Sequence, residues 1–122
     1  MKRFIQTITM ATLLAMPFIT VAAADSLPPG LTPDAIAAAK TPAEHQAIAD
    51  AYAKEATNLQ AMADAHRKMD SYYAEPGYLS AKRGVQRHCR ALVQSYEAAA
   101  KDADALAKMH HEMAEAAAKK TK

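Results

Sequence analysis

Six residues of this chain recur at identical spacing 44 positions further on. The first copy reads His45, Ile48, Tyr52, Met62, His66 and Met69; the second reads Cys89, Leu92, Tyr96, Leu106, His110 and Met113. A fixed-period self-match of this kind marks one structural unit used twice. Between Pro42 and Pro76, and again after Pro76, no proline interrupts the chain. Each copy therefore lies in a stretch that can run as one long helix.

Thr41-Pro42-Ala43-Glu44 opens the first helix: the threonine caps, the proline suits the first turn and the glutamate reaches back as in a capping box. The spacing predicts a helix from Pro42 to Glu75. Its apolar seam steps by three and four through His45, Ile48, Tyr52, Glu55, Leu59, Met62, His66, Met69 and Tyr73. Pro76-Gly77 to Ser80 makes a turn. A second helix follows from Ala81 to Ala118, with the seam Val85, Cys89, Leu92, Tyr96, Ala99, Ala103, Leu106, His110, Met113 and Ala117. Lys119 to Lys122 form a basic tail. Two helices of similar length joined by a short turn pack antiparallel, so the expected fold is all-α: a two-helix hairpin whose repeat becomes a pseudo-two-fold axis. Centring the turn near residue 79 sets Tyr52 opposite Leu106, Met62 opposite Tyr96, and Glu55 opposite Ala103. Glu55 is then either paired, with Lys101 or Lys54, or tilted to solvent.

The start of the chain reads as a targeting segment. Lys2 and Arg3 precede a mostly apolar run, and Ala22-Ala23-Ala24 supplies a small-residue cleavage site. Residues 1–24 are thus expected to be a signal peptide, leaving a periplasmic or secreted chain with no membrane span after processing. Without Lys2 and Arg3 the basic and acidic counts are equal, at 13 acidic residues, so net charge gives no support for nucleic-acid binding. Residues 25–41 form an arm: an extended Pro28-Pro29-Gly30 run, then a short helix capped at Thr32 over Pro33 to Lys40, which needs to dock to persist. The alanine-rich composition, with no tryptophan and three glycines, agrees with helix throughout.

The hairpin is thin, because alanine at 99, 103 and 117 offers little apolar area. Either two hairpins pair into a four-helix bundle, the favoured homodimer, or a ligand adds stability. The antiparallel register gathers two candidate clusters. His45, His110 and Met113 meet at the open end; His66, Met69 and Cys89 meet near the turn, with His88, Met109 and His111 beside these faces. Imidazole, thioether and thiolate together suit copper, particularly Cu(I), while zinc gains little from methionine. An ion at either cluster would staple the helices. Against this, methionine on a helical seam is commonly filler, and a buried free cysteine commonly a small hydrophobe. Cys89 is the only cysteine, so in an oxidising compartment it is buried, joined to another molecule, or metal-bound.

Cys89 with His66 or His88 has the elements of a thiol nucleophile, but a hairpin supplies no oxyanion hole, and the expectation is no enzyme. There is no Cys-x-x-Cys-His attachment for haem. Lys82, Arg83, Arg87 and Arg90 crowd the start of the second helix, reading as a solvated face or as a patch for an anionic partner.

The stretches 43–52 (Ala-Glu-His-Gln-Ala-Ile-Ala-Asp-Ala-Tyr), 63–69 (Ala-Asp-Ala-His-Arg-Lys-Met) and 88–92 (His-Cys-Arg-Ala-Leu) resemble small alanine-rich exported helical-hairpin proteins of Gram-negative bacteria. More distantly, the chain is similar to small periplasmic metal-binding helical bundles. Those carry dense histidine repeats, whereas this chain has five His, which argues against high-capacity storage. Two functions are expected from these readings: soft-metal binding for buffering or stress tolerance, or a coiled-coil module that binds a partner helix or itself.

Overall fold

The computed structural model describes residues 27–74 and 81–121, with the side chains of 81–83 excepted. The expected leader 1–24 and turn 76–80 lie outside the described residues. Among the described residues there are three helices: α1 (Pro33–Ala38), α2 (Pro42–Ala74) and α3 (Ala81–Lys120). There is no strand among the described residues, and α2 packs along α3 as an all-α hairpin. α3 runs two residues beyond the expected Ala118, so Lys119 and Lys120 end the helix, where cations suit its dipole.

Local chemistry sets the starts. The Thr41 hydroxyl accepts from the Glu44 N–H at 3.2 Å, and the Glu44 carboxylate accepts from the N–H groups of Thr41 at 2.9 Å and Lys40 at 2.8 Å. This is the reciprocal capping box that the sequence announces. The backbone donors hold the Glu44 carboxyl below its usual pKa. Thr32 caps α1 in the same way, accepting from Ala35 N–H at 3.1 Å. Before it, Leu31 N–H bonds the Pro28 carbonyl at 3.0 Å across Pro29-Gly30. Gly30 has φ +90, the value a type II turn requires at its third residue.

The buried ladders differ from the expected seams at every second step except the first of α2, where Ile48 is buried as expected along with Ala49. In α2 the line facing α3 is His45, Ala49, Tyr52, Ala56, Leu59, Ala63, His66, Asp70, Tyr73; in α3 it is Cys89, Val93, Tyr96, Ala100, Ala103, Ala107, His110, Ala114, Ala117. Glu55, Met62 and Met69, and Val85, Leu92, Ala99, Leu106 and Met113, flank these ladders instead. The reason is size. Alanine at the contact line lets the helix axes approach, and Ala63 is fully buried at 0 % exposure. The larger residues one position earlier then cover the groove between the helices from one side. The two ladders still match residue for residue at the 44-position offset, so the repeat is a real structural symmetry.

That symmetry is also visible in the rings. Tyr52 stacks on His110 (centroids 6.1 Å, planes 16° apart), and its repeat mate Tyr96 stacks on His66 (5.6 Å, 21°). Each Tyr–His pair is the image of the other.

A two-fold that exchanges antiparallel helices stands normal to their common plane, so it maps each face of the hairpin onto itself. The flanking residues of both helices thus share one face. α1 and the preceding arm roof one half of it, where Leu31, Ile36 and Ala39 pack on a core of Ile48, Tyr52, Ala103 and Ala107. This docking supports a six-residue helix that would not persist alone. The other half has no such cover among the described residues: Leu92 is 38 % exposed where its mate Ile48 is 4 %, although Met62 and Met69 (44 and 39 %) are exposed much as their mates Leu106 and Met113 are (37 and 42 %).

Ion pairs lock the register near the turn. Arg90 Nε donates to both Asp70 carboxylate oxygens at 3.0 and 3.1 Å, and Gln86 Nε2 donates to the Asp70 carbonyl at 3.3 Å. Arg67 pairs with Asp64 on its own helix and with Glu97 across the hairpin. One member of the basic cluster, Arg90, is therefore engaged within the fold, while Arg87 is exposed.

Candidate metal centre

At the open end the two imidazoles named by the sequence face each other. His45 Nδ1 and His110 Nδ1 are 3.3 Å apart, with ring centroids 5.5 Å apart. His45 projects from the first turn of α2, held by the capping box. His110 comes from the far part of α3 and is buried at 8 % exposure, wedged by Tyr52. Burial, and secondarily the neighbouring His45, hold the His110 pKa below its ordinary value, so this imidazole favours the neutral form with a lone pair to give.

Two neutral imidazoles in this arrangement hold a proton between them: one Nδ1–H donates to the other Nδ1. A metal ion can take that place if the protons sit on Nε2. With metal–nitrogen bonds of about 2.0–2.1 Å, a 3.3 Å separation corresponds to an N–metal–N angle of roughly 104–111°, close to tetrahedral. A linear two-coordinate ion would need the nitrogens about 4 Å apart on the same bond lengths. The pair as it stands matches a three- or four-coordinate centre.

Met113 is the soft donor that the sequence offered at this end. It lines a recess at the open end together with His45, Lys40, Thr41 and Ala117, and is 42 % exposed. Among the described residues no three His, Cys, Asp or Glu side chains converge as an ion site, so a thioether or an external ligand has to complete the set. His111 stands beside the pair but is otherwise occupied: its Nδ1 meets Gln46 Oε1 at 3.1 Å and its Nε2 meets Glu115 at 3.4 Å. Met109 is 51 % exposed, and His88 is also exposed.

By the 44-residue repeat, Cys89 takes the position of His45 and His66 that of His110, but no hydrogen bond joins His66 Nδ1 to Cys89 as one joins His110 to His45. Cys89 is free and 3 % exposed. His66 Nδ1 is buried and has no hydrogen-bond partner, where its mate His110 Nδ1 has His45. Met69 is 39 % exposed on the flank, and Asp70 beside it holds Arg90, the neighbour of Cys89.

Sequence reasoning did not assign the tyrosines, although the signal was present. Tyr52 and His66 lie on one ladder 14 residues apart, and the antiparallel two-fold sets each tyrosine against the other copy's histidine. Comparison of the chain with protein-family models, with curated proteins and with solved structures finds no match.

Proposed function

We propose that this chain is a small exported helical protein that binds a soft transition metal, copper before zinc, between its helices, for metal buffering or stress tolerance rather than catalysis. The observation that carries the reading is the facing pair of ring nitrogens, His45 and His110, 3.3 Å apart. Nitrogen and thioether donors favour Cu(I), and the separation suits a centre completed by Met113 or an external ligand. His66, Cys89 and Met69 form the second, thiolate-bearing candidate. Its support is the buried His66 Nδ1 that lacks a partner.

An ion here would also act on stability. The core is built largely of alanine, and an ion bound only by the folded hairpin adds to its free energy in proportion to the logarithm of ion concentration over Kd. Titrating the protein with Cu(I), then Zn(II), while following thermal unfolding tests the reading. The expected result is a rise in Tm with Cu(I) that His45→Ala and His110→Gln each diminish. No shift with either ion, or a shift indifferent to the combined loss of His45, His110, His66 and Cys89, disproves it.

A second reading has its own observation. The unroofed half of the apolar face, around Met62, Met69 and Leu92, supports a homodimer or the capture of a partner helix. A mass measurement in dilute solution without metal decides: a monomer rules out the dimer.

A further inference from the structure

The middle of the roofed face holds a groove of about 510 Å³ that the metal reading does not use. Its volume falls in the range of small-molecule sites, about 300–1,000 Å³. Tyr52 stands toward one end and Tyr96 toward the other; Leu59 and Leu106 supply apolar wall, and Leu27 and Pro28 of the arm form a lip. Two carboxylates, Glu55 from α2 and Asp102 from α3, also line it. No lysine, arginine or histidine does.

These carboxylates are uncompensated. Glu55 is half-buried, and among the described residues neither Glu55 nor Asp102 takes part in an ion pair or a side-chain hydrogen bond. The two lysines that the sequence offered to Glu55 are not engaged with it. Lys101 lines a groove on the opposite side of the hairpin with Ala53, Gln60 and Asp64. Lys54 borders a shallow recess beside Glu55 without pairing. Glu55 is half-buried and Asp102 exposed, and among the described residues the groove lining offers neither a cationic partner. The groove thus presents the complement of one chemical class: an apolar body of a few carbons joined to a positive charge.

We propose that this groove binds an amphiphilic organic cation, with its apolar part between Leu59 and Leu106 and its ammonium group between Glu55 and Asp102. The aromatic ends add to the preference, since tyrosine rings attract alkylammonium groups. The attraction is electrostatic at a site open to solvent, so binding weakens as salt rises. The site does not include the histidine pair, which it touches only through Tyr52, and its occupation does not require a metal.

Octyltrimethylammonium is a suitable probe, with octyl sulfate as the matched anion of equal chain length, both followed by isothermal calorimetry on the intact protein. The expected result is saturable one-to-one binding of the cation and none of the anion over the same concentrations. The double variant Glu55→Gln, Asp102→Asn is expected to weaken the cation at least tenfold, with an unchanged helical spectrum, while His45→Ala leaves it unchanged. Equal binding of the two probes reduces the groove to an apolar patch and overturns the proposal. So does an unaffected double variant, the absence of cation binding, or a dimer that neither probe enters, which would mean a second copy covers the groove.

Discussion

The two ends of the hairpin are built from one repeated unit, yet they are finished differently. At the open end His110 is buried, stacked on Tyr52 and met by His45, and α1 lies close by over Ile48. At the turn end His66 stacks on Tyr96 with its Nδ1 unpartnered, Cys89 replaces His45, and Leu92 is 38 % exposed where its mate Ile48 is buried. Symmetry supplies the scaffold twice, and two local differences separate the ends. One is the arm, present ahead of α2. The other is a single side-chain exchange, imidazole for thiol. The ends should therefore differ most in stability where the roof is and, if they bind metal as proposed, most in ion preference where the exchange is.

The largest expected break in that comparison comes from the tyrosines. Tyr52 is 9 % exposed and sits in the core under the arm, so Tyr52→Ala should cost about 3–5 kcal/mol, the range for a large buried aromatic. Tyr96 is half-buried and unroofed, so Tyr96→Ala should cost distinctly less. Chemical denaturation of both variants checks this, and equal losses would erase the distinction between the halves. Next comes the contact line. Ala63 is at 0 % exposure where the helices approach, so Ala63→Leu should destabilise by about 1–3 kcal/mol through overpacking. The flanking Met62→Leu should be nearly neutral. If Ala63→Leu stabilised instead, the close approach of the helices would be refuted.

The smallest effect is that of pH. Because the folded His110 pKa lies below its ordinary value, the unfolded chain binds the proton more readily. Stability is then fully present above about pH 6.5, the unperturbed imidazole value, and is lost as pH falls toward the folded pKa. Tm measured over this window should fall on acidification, and His110→Gln should flatten that slope. A slope unchanged by His110→Gln would assign the pH dependence elsewhere.

Much of this architecture was legible in the residues, and the exceptions have identifiable causes. The capping box at Thr41 and Glu44, the proline-free runs and the 44-residue repeat are local or periodic signals, readable without knowing which residues touch. The facing of His45 and His110 follows from the same periodicity plus a short turn. The contact line was harder to read. A heptad pattern with alanines on one line and larger residues one position away allows two seams, and hydrophobicity alone favours the larger ones.

The sequence by itself determined two matched helices, their antiparallel order, and the facing of His45 and His110 at the open end, because these follow from spacing along a rigid rod. Only the tertiary structure decided that alanines form the interface, that an arm covers one half of one face, and that Glu55 and Asp102 border a common groove. Those outcomes depend on how closely two surfaces can approach once side-chain volume is counted, a property of the packed pair and of neither helix alone.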